Sequence, residues 1–196
     1  ILGSTGSIGI QTLEVLNHFP SEFVVKYLTA YDNVQLLAHQ AKKYNPDTVC
    51  IINESKLPFL KELLKNTQIS IVSGRNALLD IASRNDVDLV INALVGADGM
   101  EPTINAIKSG ADVALSNKES MVMAGEIIND LIKTYSCNLY PVDSEHNAIW
   151  QCLQGENICD IKKIILTGSG GPFRTKPVKE FHNIKIEEAL NHPNWD

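Results

Sequence analysis

Two carboxylates one residue apart, a lysine between an expected strand and an expected helix, and a glycine-rich turn near the first residue are the groups here best suited to chemistry. Asp143 and Glu145 flank Ser144 and follow an apolar stretch expected to be a strand at residues 138–142. In an extended backbone residues i and i+2 point to the same side, so the pair would face one point. Like charges held close repel unless a cation neutralises them, and oxygen-only donors suit Mg2+ or Mn2+ better than zinc. An acidic surface turn is the competing reading. Two carboxylates also need a third ligand, substrate oxygens or waters to complete an octahedral site. His146, beside them, reads as a hydrogen-bonding partner of such a site more than as a ligand. Lys118, within SNKES at residues 116–120, sits where open α/β sheets bind ligands; its ammonium could orient a substrate hydroxyl or steady developing negative charge, or simply be solvated.

GSTGSIG at residues 3–9 joins the first expected strand to the first expected helix. Glycines so placed allow a tight turn and a close backbone approach to a pyrophosphate seated on the helix N-terminus, and Thr5 and Ser7 add hydroxyl donors. The spacing is GxxGxxG rather than GxGxxG, and a purely structural turn is the alternative. At the end of the second strand, where an acid favours the free ribose 2′-hydroxyl and a base the 2′-phosphate, the stretch is Ala30-Tyr31-Asp32-Asn33. Asp32 suits NAD if it points inward, or is a solvated turn residue. GSGGP at 168–172 could form a second anion-binding nest with Ser169 donating to a phosphate, against a bare glycine-rich turn. HPNW at 192–195 reads as a turn with an interface Trp195, or as a lid packing over substrate.

These groups need a scaffold, and the hydrophobic pattern describes one. Short β-rich runs at 23–28, 48–52, 70–72, 89–94 and 112–115 alternate with helical spacing at 8–18, 34–43, 56–65 (with Ser55 placed to cap it), 77–83, 102–109 and 121–135. That rhythm predicts βαβ units: a parallel sheet with helices on both faces. After residue 135 the rhythm changes to a strand at 138–142, a short helix near 147–153 and a further strand at 163–166, with a domain boundary expected near Val142. The chain has 196 residues, a net charge of −6 and no apolar run near the roughly 20 residues a membrane span needs. The charge argues against a nucleic-acid binder, and four scattered cysteines without a CxxC pair suit reduced thiols. Ile1-Leu2 reads as the tail of a strand already begun and Asp196 follows no cap, so a longer chain is expected.

In their order along the chain, these features resemble the 1-deoxy-D-xylulose 5-phosphate reductoisomerase family. The resemblance rests on GSTGSIG at 3–9, SNKES at 116–120, PVDSEHNAIWQ at 141–151, LTGSGGPF at 166–173 and HPNW at 192–195, with DSEHNAI and TGSGGPF highly specific. It implies a Rossmann-like NADPH-binding domain over 1–142 and the beginning of an α+β catalytic domain over 143–196. Thr5, Gly6, Ser7 and Ile8 match the family's NADPH-contacting turn, with Asn33, Asn117 and Glu119 as further cofactor positions. Asp143 and Glu145 match two ligands of a divalent Mg2+ or Mn2+, and Lys118, Ser144, Glu145, Ser169, His192 and Trp195 match substrate-binding positions.

The implied reaction is a metal-assisted skeletal rearrangement of a small-molecule sugar phosphate, then reduction by NADPH to 2-C-methyl-D-erythritol 4-phosphate in non-mevalonate isoprenoid precursor synthesis. A homodimer is implied, with no nucleic-acid or membrane partner, cytoplasmic in bacteria or in the plastid of plants and related parasites. Tyr31 and Asp32 depart from the family, many of whose members carry glycine and lysine there, which weakens the implied NADP preference at that position. The family's third metal-ligand glutamate, and a serine, an asparagine and a lysine of its phosphate pocket, fall beyond Asp196, so this stretch is expected to bind dinucleotide better than it catalyses. A non-catalytic dinucleotide-binding module is the alternative function.

Overall fold

Ile1 and Leu2 occupy the middle of a parallel sheet, and the strands that follow are laid out to either side of them. The structure, a computed structural model, describes residues 1–168 and 171–191. It separates into two compact units, Ile1–Asn147 and Ala148–Asp196. In the first unit β1 (Tyr27–Ala30), β2 (Thr48–Ile51) and β3 (Ser70–Ser73) pair in parallel in that order. A second parallel ribbon runs β4 (Leu89–Asn92), β5 (Asp112–Leu115), β6 (Leu139–Pro141). Backbone bonds of the first residues join the two ribbons. Thr29 N donates to Ile1 O at 3.1 Å and Ser4 N to Thr29 O at 2.8 Å, while Leu2 N donates to Ile91 O and Ala93 N to Leu2 O, both at 2.9 Å. The spatial order is therefore β3-β2-β1, residues 1–4, β4-β5-β6. The chain winds outward in one direction and then in the other, so the central segment is the topological switch point, beside which such sheets bind ligands at the carboxyl ends of their strands.

Successive side chains of a strand point to opposite faces, and here both faces are covered, which is why the runs are continuously apolar. Leu28, Ala30, Val49 and Ile51 pack with Leu13 of α1 (Ser7–Leu16), with Val34, Leu37, Ala38 and Ala41 of α2 (Val34–Tyr44), and with Leu60 of α3 (Leu57–Leu63). Tyr27, Cys50, Val90, Val113 and Leu115 belong to a separate cluster. It includes Leu78 and Ile81 of α4 (Gly74–Ala82), Ala106 and Ile107 of α5 (Met100–Lys108), and Ala124 and Ile128 of α6 (Lys118–Tyr135). The expected parallel sheet with helices on both faces is thus observed. All four cysteines are free; Cys50 and Cys137 are buried, and burial pushes the Cys50 thiol up to about 12.

Some local expectations differ. β1 starts at Tyr27 rather than at residue 23, because Phe23 and Val24 are exposed and outside the ladder, while the polar Thr29 is wholly buried within it. Ser55 does not cap α3. Asn53 caps a 3-10 turn at Glu54–Lys56 instead, its Oδ1 accepting from Ser55 N (3.2 Å) and Ser55 Oγ (2.7 Å). Helix α7 spans Ser144–Cys152, three residues earlier than expected. The second unit holds 3-10 turns at Ile158–Asp160 and Val178–Asn183 and the short α8 (Ile186–Leu190). Residues 163–166, expected to be a strand, form none: Ile164, Ile165 and Leu166 are exposed, and no strand among the described residues pairs with them. An apolar run makes a strand only where a neighbour satisfies its backbone.

Candidate functional site

Because all the strands run in parallel, the loops that follow the first segment, β1, β4, β5 and β6 emerge at one edge of the sheet. Every described residue singled out for chemistry in the first unit lies on one of these loops or on the helix it starts. The turn at residues 3–9 is held from below by groups that sequence reasoning missed. Gly3 N donates to Thr29 Oγ1 (3.0 Å), and the buried Ser4 exchanges two bonds with Gln40 of α2: Ser4 Oγ to Gln40 Oε1 (2.7 Å) and Gln40 Nε2 to Ser4 O (2.8 Å). The available signal was a glutamine on the apolar stripe of α2, between Leu37 and Ala41.

The three glycines of the turn have different reasons. Gly3 has φ +81°, and a Cβ there would lie 2.9 Å from Ala93 O. A Cβ on Gly9 would lie 2.3 Å from Gly3 O and 2.5 Å from Ser4 Cα, so α1 and the turn can approach only without one. Gly6 has an ordinary φ of −77°, and its Cβ would meet nothing closer than Gly3 O at 3.5 Å. Packing does not demand glycine at residue 6. That position faces outward at the N-terminus of α1, where no side chain caps the helix and no acidic residue sits in the first turn. Free N–H groups, a positive helix end and a bare Cα fit a pyrophosphate. Gly6 and Ser7 are exposed there, Thr5 and Ile8 half-buried.

Across the switch point, the loop after β4 is shaped from within. Asn92 Nδ2 donates to Gly99 O and to Thr103 Oγ1, both at 2.8 Å, and Asn92 Oδ1 accepts from Leu94 N (3.1 Å). Asn117, 1% exposed, continues the brace. Its Nδ2 donates to Leu94 O (3.0 Å) and Gly96 O (2.8 Å), while Oδ1 accepts from Ser120 N (3.1 Å) and from Ser120 Oγ, capping α6. The Asn117 side chain is therefore fully engaged inside the protein. At the end of β1, Tyr31, Asp32 and Asn33 are all exposed, and Asn33 Oδ1 accepts from Leu36 N (3.2 Å), capping α2.

The carboxylates lie beyond β6. Asp143 immediately precedes α7 and Glu145 is in its first turn, so they meet across a helix start and not along an extended strand as expected; the earlier start of α7 is the reason. The Asp143 side chain is 12% exposed. Its Oδ2 holds the Lys118 ammonium, and its Oδ1 lies 3.3 Å from His146 Nδ1. Ser144 Oγ donates to Glu145 Oε2 (2.9 Å). The hydrogen bond from Lys118 is the main cause that lowers the Asp143 pKa; the same bond, reinforced by the charges of Glu145 and Glu119, raises that of Lys118 against the opposing effect of burial. Asp143 and Glu145 suit a hard divalent cation in kind. In number they fall short: among the described residues no three His, Cys, Asp or Glu side chains gather as a metal site. Ser169, His192 and Trp195 lie outside the described residues. No described helix is long and apolar enough to cross a membrane.

Comparison with known proteins gives this geometry a context. Residues 1–125 match the family model described as 1-deoxy-D-xylulose 5-phosphate reductoisomerase, and residues 139–196 match that described as its C-terminal domain. The reductoisomerase of Chloroherpeton thalassium is 52% identical over 195 residues, and that of Geotalea uraniireducens 46%. In both cases the alignment covers 100% of this chain and 50% of the relative, so the chain spans about half the length of the curated relatives it matches. Among solved structures, the Zymomonas mobilis reductoisomerase in complex with NADPH superposes with a TM-score of 0.91 at 40% identity, covering 98% of this chain and 50% of that one. A reductoisomerase in complex with NADPH, fosmidomycin and magnesium superposes at 0.85 with 37% identity, covering 100% of this chain and 50% of that one.

Proposed function

The chain belongs to the 1-deoxy-D-xylulose 5-phosphate reductoisomerase family, and on that premise we propose that its protein converts 1-deoxy-D-xylulose 5-phosphate to 2-C-methyl-D-erythritol 4-phosphate, with NADPH as reductant and Mg2+ or Mn2+ as a required cation. The observation that carries the proposal is a coincidence at one sheet edge. The unblocked N-terminus of α1, with Gly6 bare for no packing reason, shares that edge with Lys118, Asp143 and Glu145. One feature suits a dinucleotide pyrophosphate; the other suits a cation and an oxygen-rich substrate.

In this reading NADPH supplies the hydride and the divalent cation supplies Lewis acidity toward neighbouring substrate oxygens. The residues of the chain bind and orient. N–H groups at the start of α1, with the Thr5 and Ser7 hydroxyls, take the pyrophosphate; Ile8 packs beside it; Asn33, Asn117 and Glu119 shape the rest of the cofactor cleft. Asp143 and Glu145 are proposed metal ligands, and Ser144, held to Glu145, is a proposed substrate contact. Lys118, protonated through its carboxylate neighbours, is placed to hold a substrate oxygen that gains negative charge. Ser169, His192 and Trp195 are assigned substrate contacts by their place in the family's motifs.

Oxidation of NADPH by the full-length protein, dependent on both 1-deoxy-D-xylulose 5-phosphate and a divalent cation, is the expected result. Chelation with EDTA should abolish it and added Mn2+ restore it. Absence of substrate-dependent oxidation with NADPH and with NADH alike would overturn the proposal.

A further inference from the structure

One buried side chain of α2 reaches out of its apolar stripe to the turn before α1. Gln40, 5% exposed, stands between the buried Leu37, Ala38 and Ala41, where an apolar residue would pack without needing partners. Its amide instead takes Ser4 from two sides: Nε2 donates to Ser4 O (2.8 Å) and Oε1 accepts from Ser4 Oγ (2.7 Å). Fastening the turn to the sheet does not require this. Gly3 N already donates to Thr29 Oγ1 (3.0 Å), and Ser4 N to Thr29 O (2.8 Å). What Gln40 adds is an orientation for the peptide between Ser4 and Thr5.

A trans peptide is planar, and its carbonyl and N–H point in opposite directions. With Ser4 O held inward by Gln40, Thr5 N–H points away from α2, and it has no acceptor among the described residues. The N–H groups of Ser7, Ile8 and Gly9, at the start of α1, likewise have no backbone acceptor among them. We infer that Gln40 is a positioning residue for the dinucleotide: by holding the Ser4 carbonyl inward, it aims Thr5 N–H, beside the first N–H groups of α1, at the pyrophosphate. Without that bond the peptide is free to tilt and brings the partial negative charge of its oxygen toward an anion. The inference rests on the dinucleotide site proposed above and adds to it a residue that acts only through Ser4.

The test compares the full-length protein with Gln40→Met, which keeps the length of the side chain and removes both bonds. Each is titrated with NADPH, with NADH, and with adenosine 2′-monophosphate, which has no pyrophosphate. Both dinucleotides should bind about tenfold more weakly to the variant, and adenosine 2′-monophosphate as it does to wild type. KM for NADPH should rise in proportion, with kcat at saturating NADPH within about twofold of wild type. Ser4→Ala, which keeps the carbonyl bond, should lose less than about threefold; a loss as large as in Gln40→Met would overturn the role given to the carbonyl. A lower urea midpoint with unchanged dinucleotide affinity would make Gln40 a structural brace and overturn the assignment. Equal weakening of all three ligands would overturn it too, by showing that α2 has moved. Should Gln40→Met fail to fold, hydrogen exchange of the wild-type protein decides: NADPH should protect the Thr5 amide, and an amide left unprotected would overturn the inference. If wild type binds neither dinucleotide, the dinucleotide site itself is wrong, an outcome distinct from binding that ignores Gln40.

Discussion

Lys118 Nζ rests on Asp143 Oδ2 and joins the first residue of α6 to the residue just before α7, 25 positions later. The ammonium is half exposed while the carboxylate beneath it is nearly covered. Both partners respond in the same sense, the acid lowered and the base raised, as a charge-assisted hydrogen bond requires. With His146 Nδ1 on Oδ1, both Asp143 oxygens already have partners. A cation arriving at Asp143 and Glu145 must compete with the lysine.

That competition has a measurable sign. Replacing Lys118 with methionine removes the positive charge that rests on Asp143 and keeps most of the side-chain volume. Mn2+ affinity, read by paramagnetic resonance or calorimetry, should rise by about tenfold in Lys118→Met, while turnover of the full-length enzyme falls. Asp143→Asn should lose metal binding with little change in melting temperature. Weaker Mn2+ binding in Lys118→Met would show that the lysine holds Asp143 in place rather than competing for it.

The glycine turn offers a separation of fold from function within four residues. Gly9→Ala places a methyl 2.3 Å from Gly3 O and must move α1 or the turn, a cost of about 1–3 kcal/mol or more. Gly6→Ala meets only ordinary contacts and keeps a backbone any residue adopts, so unfolding should be unchanged. It should still weaken NADPH and NADH by about tenfold, since the methyl stands where the pyrophosphate approaches. Equal affinity in Gly6→Ala and wild type would argue that the turn is structural only.

Much of this arrangement is legible in the sequence because strands covered on both faces are apolar throughout. The strands at Thr48–Ile51 and Asp112–Leu115 fall where their runs place them. β1 was displaced for the converse reason: Thr29 looks like a strand end, yet it is buried because its hydroxyl receives Gly3 N. Residues 163–166 show that an apolar run alone does not specify a strand. At the site, residue types and spacing pointed to the glycine turn, the lysine and the carboxylates. The pairing of Lys118 with Asp143 was not legible, because contacts between distant loops depend on sheet order rather than on local pattern. Nor were the braces Gln40 and Asn92, whose buried amides bond to groups that only the folded chain brings beside them.

Asn117 illustrates how much of the cleft is held by one amide. Asn117→Ala deletes both donors to the carbonyls of Leu94 and Gly96, removes the cap of α6, and opens the space that Gly99 leaves for the side chain. Buried carbonyls without donors and a lost cap together cost about 3 kcal/mol. Urea denaturation should show a lower midpoint with unchanged slope. Asn117→Asp keeps the acceptor for Ser120 N but sets a buried carboxylate oxygen against the carbonyls of Leu94 and Gly96, so at neutral pH it should lose at least as much as the alanine variant. A loss of unfolding free energy below about 1 kcal/mol in Asn117→Ala would mean that water replaces the amide.

At the opposite edge of the sheet, a cluster remote from the chemistry should govern pH stability. Tyr27 Oη donates to both oxygens of Asp86, at 3.0 and 2.8 Å, and Lys26 Nζ bridges Asp86 (3.2 Å) and Asp47 (3.1 Å). The Tyr27 hydroxyl is the leading cause that lowers the Asp86 pKa; burial, and then the bond to Asp86, raise that of Tyr27. A carboxyl whose folded pKa lies below its unfolded value of about 4 stabilises the protein above that pH, and the contribution disappears as pH falls through the folded value. A phenol raised above its ordinary value of about 10 stabilises below that pH and is lost as pH rises through the folded value. Asp86→Asn should therefore flatten the acid limb of a melting-temperature profile below about pH 4, and Tyr27→Phe should do so partly while also flattening the alkaline limb near pH 10. An acid limb of the same steepness in Asp86→Asn and wild type would place the acid sensitivity elsewhere, with Asp143 beneath Lys118 as the next carboxyl to test.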